Sequence, residues 1–356
     1  MPFIVTKIKS AIVPLYNYRI RGKGLSISKI ESKSGLFKFD KTVKHGQKSK
    51  VVHKGHIGGK VPLFLDKVTL TFPCSDPDHK KYVHNHMDYL LKDISNIDKH
   101  LYNDQNSYLA KRYAFNYVYL TPTGKTIYVS FKPRDTTKNY LRVQFNVKEL
   151  VDAGEFEHLL GIINGLFAGH DIEWDGVQAS RVEVALDVPF ARELVQLSAS
   201  GFSVSNTHNG LNNYVQTEYV GAEGSTLTFC VYDKNLERQK KLGDAYVPAE
   251  KKLTRVETRL KKMTIQALKE ATPFKKAQVY VLPEHPEVSN FVIAWFLDSI
   301  QIRGVTAVLA MIPTKHERNK YKGILEAYRA EFWDPDQLQA QYLKALDSLI
   351  TALDNK

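Results

Sequence analysis

Apolar and polar residues alternate with a period of two over FLDKVTLTF (64–72), which predicts a β-strand. A polar stretch from Asp78 to about Asn96, preceded by Pro77, predicts a helix. Three strand-like runs follow at 112–122, 125–133 and 139–147, the first two joined through Thr123 and Gly124 as a hairpin. Residues 155–168 place Phe156, Leu159, Leu160, Ile163 and Phe167 on one helical face. The same order then recurs: a strand at 180–188, a short helix at 191–197, strands at 213–221, 226–234 and 253–262, and a helix at 264–271. Two successive sets of mostly antiparallel strands with crossing helices predict an α+β domain over 61–283, and their recurrence suggests a duplicated half. From Glu287 only helical patterns remain, at 287–312, 314–332 and 335–353, so 284–356 is expected to be a C-terminal helical region. Its last helix opens on Asp334 and Pro335 and aligns Leu338, Tyr342, Leu346, Leu349 and Leu353, a stripe expected to face a core.

Charge changes the picture at the N-terminus. The net formal charge is +12, and residues 1–60 alone hold 14 Lys and Arg against Glu31 and Asp40, so the remainder is formally neutral. This Gly- and Ser-rich stretch has little periodicity and reads as a flexible basic arm suited to a polyanion, with Lys48, Lys50, Lys54 and Lys60 as DNA contacts. The alternative is a solubilising tail. Two cysteines exclude a disulfide scaffold or a cysteine-rich zinc module and fit a reducing cytoplasm. The start of the chain lacks a signal-peptide h-region, and the most apolar window, 291–312, is broken by Asp298, Gln301 and Arg303, so no membrane segment is expected.

Three strands of the second half carry chemistry. In SRVEVALDV, Val182, Val184 and Leu186 share one face while Arg181, Glu183 and Asp187 share the other. In TLTFCVYDK, Phe229 and Val231 oppose Cys230, Tyr232 and Lys234; in LTRVETRLK, Val256 and Leu260 oppose Arg255, Glu257 and Arg259. Two readings fit. An antiparallel sheet with one wet face alternates in this way. A sheet face that collects carboxylates, guanidiniums and a phenol is also suited to phosphodiester chemistry: carboxylates hold a hard divalent cation, a phenol attacks, and cations hold phosphates.

These segments, SRVEVALDV, EYVGAEGSTLTFCVYDKNLERQ and LTRVETRLKK, resemble in order and spacing the rolling-circle replication initiation factors, and in particular the trans-acting Rep family of plasmids and filamentous phages. The resemblance spans about 177–263 and extends back to Leu65. It implies a relaxase-like, mostly antiparallel sheet with helices on one face. It further implies an enzyme that binds origin DNA, nicks one strand through a tyrosine and stays joined to the 5′ phosphate with the help of Mg²⁺ or Mn²⁺. Carried onto this chain, Tyr232 is the nucleophile, Lys234 its neighbour on the scissile phosphate, Glu183, Glu257 and Asp187 the metal ligands, and Arg181, Arg255 and Arg259 phosphate contacts. Asp187 lies four strand residues from Glu183, roughly 13 Å. The chain has Cys230 where the family has Arg, and Glu183 where it has Asp.

His84 and His86 have the spacing of a nuclease metal pair but fall in a helical pattern. GKGLSISK lacks a P-loop ending, so strand separation is expected to come from a host helicase. A homodimer through the C-terminal helices is also expected of such families. The rivals are a catalytically silent DNA-binding regulator on the same fold and an RNA-binding or structural protein with a wet sheet face. One outcome follows from charge alone. If four of the arm's cations touch phosphate, deleting residues 1–60 should flatten the salt dependence of duplex affinity by about 3 to 4 units of log–log slope, as read by titrations from low to moderate salt. A solubilising tail leaves the slope unchanged.

Overall fold

The computed structural model describes residues 61–93, 101–103, 108–202, 204–210, 214–243, 252–283 and 291–354; Lys48, Lys50, Lys54 and Lys60 lie outside them. In chain order the elements are β1 (Leu63–Phe72), α1 (Pro77–Asp93), β2 (Leu101–Asn103), β3 (Tyr113–Leu120), β4 (Thr126–Pro133), β5 (Leu141–Asn146), α2 (Val147–Ala153) and α3 (Phe156–Leu166). They continue with β6 (Gln178–Val188), β7 (Val195–Ala199), β8 (Ser205–Asn209), β9 (Val215–Val220), β10 (Leu227–Asp233), α4 (Lys234–Leu242), β11 (Thr254–Leu260), β12 (Met263–Thr264), α5 (Ile265–Glu270) and β13 (Ala277–Val281). Four helices close the chain: α6 (Phe291–Arg303), α7 (Val305–Met311), α8 (Lys315–Leu325) and α9 (Pro335–Asp354).

The architecture is α+β, as expected. One large sheet runs β2-β3-β4-β5-β1-β6-β11-β10-β9-β8, with β12 beside β6, and β7 pairs with β13 in a separate ribbon. Every ladder is antiparallel. The strand order is symmetric about its middle. β1 leads a set in which β5 returns to it, β6 leads a set in which β11 returns to it, and the leaders pair with each other at the seam. This is the topology of a duplicated half.

One face of the sheet is apolar and dry. Leu63, Leu65, Val68, Leu70 and Phe72 of β1, with Val182, Val184 and Leu186 of β6, pack with Val83 and Met87 of α1, Leu159 and Ile163 of α3, and the α9 stripe. The stripe is core, as its spacing predicts, and it belongs to the main core. The expected boundary at 284 is therefore no break in packing. Of the C-terminal helices, α6, α7 and α8 join a second cluster with Tyr280 of β13, around Phe296, Ile300, Val305, Leu309 and Leu325. No helix among the described residues is long and apolar enough to cross a membrane.

Four local expectations change. The helix expected at 191–197 is one turn, Arg192–Leu194, and then β7, because buried Val195 and Leu197 complete a ladder with β13. The helix expected at 287–312 breaks at Gly304, whose φ of +80° is left-handed. The helix expected over 314–332 ends at Leu325, passes through one turn at Glu326–Tyr328, and yields to an irregular connection before α9. After Tyr232 the strand stops at once: Asp233 caps α4, its side chain accepting from the Leu236 N–H at 2.9 Å.

If α9 is part of the main core, Leu346→Ala should destabilise the whole protein by about 2–5 kcal/mol in one cooperative transition. Denaturant unfolding followed by far-UV circular dichroism reads this; an independent early transition of the C-terminal helices is the contrary result.

Candidate active site

The opposite face of the sheet is polar but not wet. Glu183, Arg255 and Glu257 are only 3%, 2% and 2% exposed, which removes the reading of a solvated face. Buried charges need partners, and each finds them. The ladders bring Arg255 of β11 opposite Asp187 of β6, Arg259 opposite Glu183, and Cys230 of β10 opposite Glu257. Arg255 grips both oxygens of Asp187 at 2.6 and 2.9 Å and reaches Asp66 Oδ2 at 2.8 Å. Arg259 donates to Glu257 Oε2 at 2.7 and 3.0 Å and lies 3.3 Å from Glu183 Oε1, which also accepts from Arg181.

Asp66 was not singled out from the sequence, and it enters through a β-bulge. Leu65 pairs with Val184 but Val68 pairs with Val182, so Asp66 and Lys67 together oppose only Glu183. The bulge turns both residues to the polar face. The sequence carries the signal: the apolar alternation of Leu63 and Leu65 slips by one before resuming at Val68, Leu70 and Phe72.

Asp66, Glu183 and Glu257 each offer a carboxylate oxygen within 4.8 Å of the others. Asp187 and Arg255, expected as a ligand and a phosphate contact, face each other outside this group and are absent from the cleft lining. Burial first, then the charge of Glu257, raises the proton affinity of Glu183, while Arg181, Arg259 and Lys67 oppose that shift. Three hard oxygen donors whose mutual repulsion an added cation would relieve fit a divalent ion such as Mg²⁺ or Mn²⁺. Glu183 Oε2 has no hydrogen bond among the described residues.

Tyr232 of β10 donates its hydroxyl proton to Glu257 Oε1 at 2.6 Å. Burial, then the Glu257 charge, pushes the phenol well above its ordinary range, with Arg255 opposing. Lys234, expected two residues along the same strand face, is instead the first residue of α4. Its ammonium sits 5.6 Å from the Tyr232 ring centroid and 2.8 Å from Glu237. Tyr219 of β9 also lies on this face, beneath the Arg259 guanidinium at 5.5 Å, and Tyr128 of β4 lines the same cleft.

These groups line a cleft of 780 Å³. Its walls are the β3–β4 turn (Gly124, Lys125, Thr126) and α4, which presents Lys240 and Lys241 and buries no residue of its own. Lys241 reaches 3.5 Å to Glu149 in the first turn of α2. His84 and His86 lie on α1 as expected. The His84 ring packs against Phe115 and Phe131, and His86 stacks on Tyr82, so the two do not form a metal pair.

No protein family matches the chain, and no curated protein does. Among solved structures it is similar to the rolling circle replication initiator protein from Geobacillus stearothermophilus, at 14% identity, over 67% of this chain and 96% of that one, with a TM-score of 0.36. A likeness at that level leaves the chemistry to the site's own geometry.

Burial pushes the thiols of Cys74 and Cys230 up to about 12. Neither should react with Ellman's reagent at pH 8 in the native protein, and both should react at once in guanidinium chloride. Rapid native labelling of Cys230 would mean that the polar face opens to solvent.

Proposed function

We propose that the protein is a replication initiator of the rolling-circle type, which nicks and rejoins one strand of origin DNA through Tyr232. The observation that carries this reading is the contact of the Tyr232 hydroxyl with Glu257, one member of a buried three-carboxylate group at the floor of a cation-rimmed cleft. The raised phenol does not stand as a phenolate, so its proton leaves as it attacks, and Glu257 Oε1 is placed to accept it. The Tyr232 oxygen bonds to phosphorus, the P–O3′ bond breaks, and the 3′ oxygen departs with a proton. The protein keeps the 5′ phosphate as an ester, so the exchange can be reversed without an external energy source. Asp66, Glu183 and Glu257 would hold the divalent cation, which when bound supplies polarisation of the phosphoryl oxygen. Arg255 fixes Asp66, and Arg259 fixes Glu257 and Glu183, so the acids are oriented before substrate arrives.

Under this reading the partners are origin DNA, duplex and single-stranded, and a host helicase. The setting is the bacterial cytoplasm with a plasmid or phage replicon, and a homodimer is compatible with it. Supercoiled DNA carrying the replicon's origin, incubated with Mg²⁺ or Mn²⁺, should yield relaxed circles with protein on the 5′ end. Tyr232→Phe should abolish nicking and the adduct while retaining origin binding. Glu257→Gln and Asp66→Asn should each lower the nicking rate by about 10²-fold or more. Nicking by the Phe variant at the wild-type rate would move the nucleophile elsewhere, and adduct-free binding by the wild type would identify a silent regulator.

A further inference from the structure

The cations of the cleft divide into two groups. Arg181 and Arg259 are held by Glu183 and Glu257, Lys234 by Glu237 and Lys241 by Glu149. Lys67, Lys125 and Lys240 also line the cleft, but their ammonium groups make no hydrogen bond or ion pair among the described residues. Lys125 precedes β4 and Lys240 lies on α4 after β10, strands on opposite sides of β1 in the sheet order, and Lys67 stands on β1 between them. The bulge that delivers Asp66 to the carboxylate group delivers Lys67 beside it, opposite Glu183 across one strand and opposite Asn146 across the other.

We propose that Lys67 is the cation that receives the phosphate to be cut, and that Lys125 and Lys240 receive its neighbours along a single strand lying between the β3–β4 turn and α4. The half-buried Lys67 ammonium feels the Glu183 charge across the ladder but makes no hydrogen bond or ion pair among the described residues, so its donors stay available to an anion that arrives with the ligand. An ammonium is a compact charge with rotatable donors, suited to a phosphoryl group whose geometry changes during reaction. The forked guanidiniums of Arg181 and Arg259 keep to their carboxylates. The role first expected of Lys234, on the scissile phosphate, thereby passes to a residue more than 160 positions earlier in the chain, since Lys234 is engaged by Glu237. A cleft of 780 Å³ has room for a short stretch of single strand.

The proposal rests on the strand-cleaving reading, but binding tests it without chemistry. Fluorescence anisotropy with a labelled octathymidylate should show Lys67→Gln binding about tenfold more weakly than wild type. Its log–log salt slope should be smaller by about 0.7, the value for one phosphate contact on a single strand. Lys67→Arg should recover most of the affinity, and Lys344→Gln, on exposed α9 surface, should match wild type. In single-turnover nicking at saturating DNA, Lys67→Gln should slow adduct formation at least tenfold. Thermal melting establishes that each variant is folded, and the Arg variant keeps the test open should the Gln variant unfold. Wild-type affinity and slope in Lys67→Gln overturn the proposal, whether or not the protein nicks, as does failure of the wild type to bind the strand. A Lys67-dependent slope in a protein that forms no adduct leaves the anion site standing and removes the nicking reading instead.

Discussion

Charge neutralisation on the closed face of the central sheet is the constraint on which the rest depends. Asp66, Asp187, Glu183 and Glu257 meet Arg181, Arg255 and Arg259 where water is largely excluded. An unpaired ion in such surroundings is prohibitively expensive, while a buried pair roughly balances desolvation against attraction. The network therefore adds little net stability and much positional specificity. Arg255 illustrates this. One guanidinium projecting from β11 ties Asp187 of β6 to Asp66 of β1, its face over the Phe64 ring at 5.1 Å, so three strands share one hydrogen-bonding centre. A slip of any of these ladders by one residue would bury unmatched charge as well as expose core. The precision of the acid group is thus inherited from the need to keep charge out of an uncompensated interior.

The same constraint explains why the sequence was informative. Period-two alternation with carboxylates and guanidiniums at the polar positions of 180–188 and 253–262 gave away β6, β11 and the face their charged residues share. What alternation cannot carry is depth. It does not tell a wet face from a closed one, because burial depends on what distant segments lay beside it, here β1 and β5 of the first half and α4 of the second. Nor does it assign partners: Asp187 and Arg255 looked like ligand and phosphate contact, and the ladder register turned them toward each other.

The residues missed lie where local rules yielded to neighbours. Asp66 sits at a phase slip that a strand reading absorbs as noise. α4 was hidden because TLTFCVYDK continues to look like a strand until Asp233, whose capping is a three-residue signal inside a longer alternating run. β7 lost to a helix because ARELVQL has good helix formers, and only a partner near residue 280 makes it a strand. In the first set, by contrast, β3, β4 and β5 were legible, since their hairpins are closed by nearby turns, while the three-residue β2 was too short to show a period.

The bulge at Asp66 and Lys67 is also a genetic weak point. Loss of a single codon there would bring Leu65 and Val68 two residues apart, matching Val184 and Val182 on β6, and this stretch of the ladder would become regular, leaving the separate register shift between Thr69 and Leu70. Such a chain would fold with its hydrophobic pattern intact and one side chain fewer on its polar face. Most short deletions in a central strand are eliminated because the protein fails to fold. This one would leave a soluble, well-made sheet without its floor, so any lineage that keeps the irregular ladder is being held to it by what the cleft does rather than by what the sheet requires.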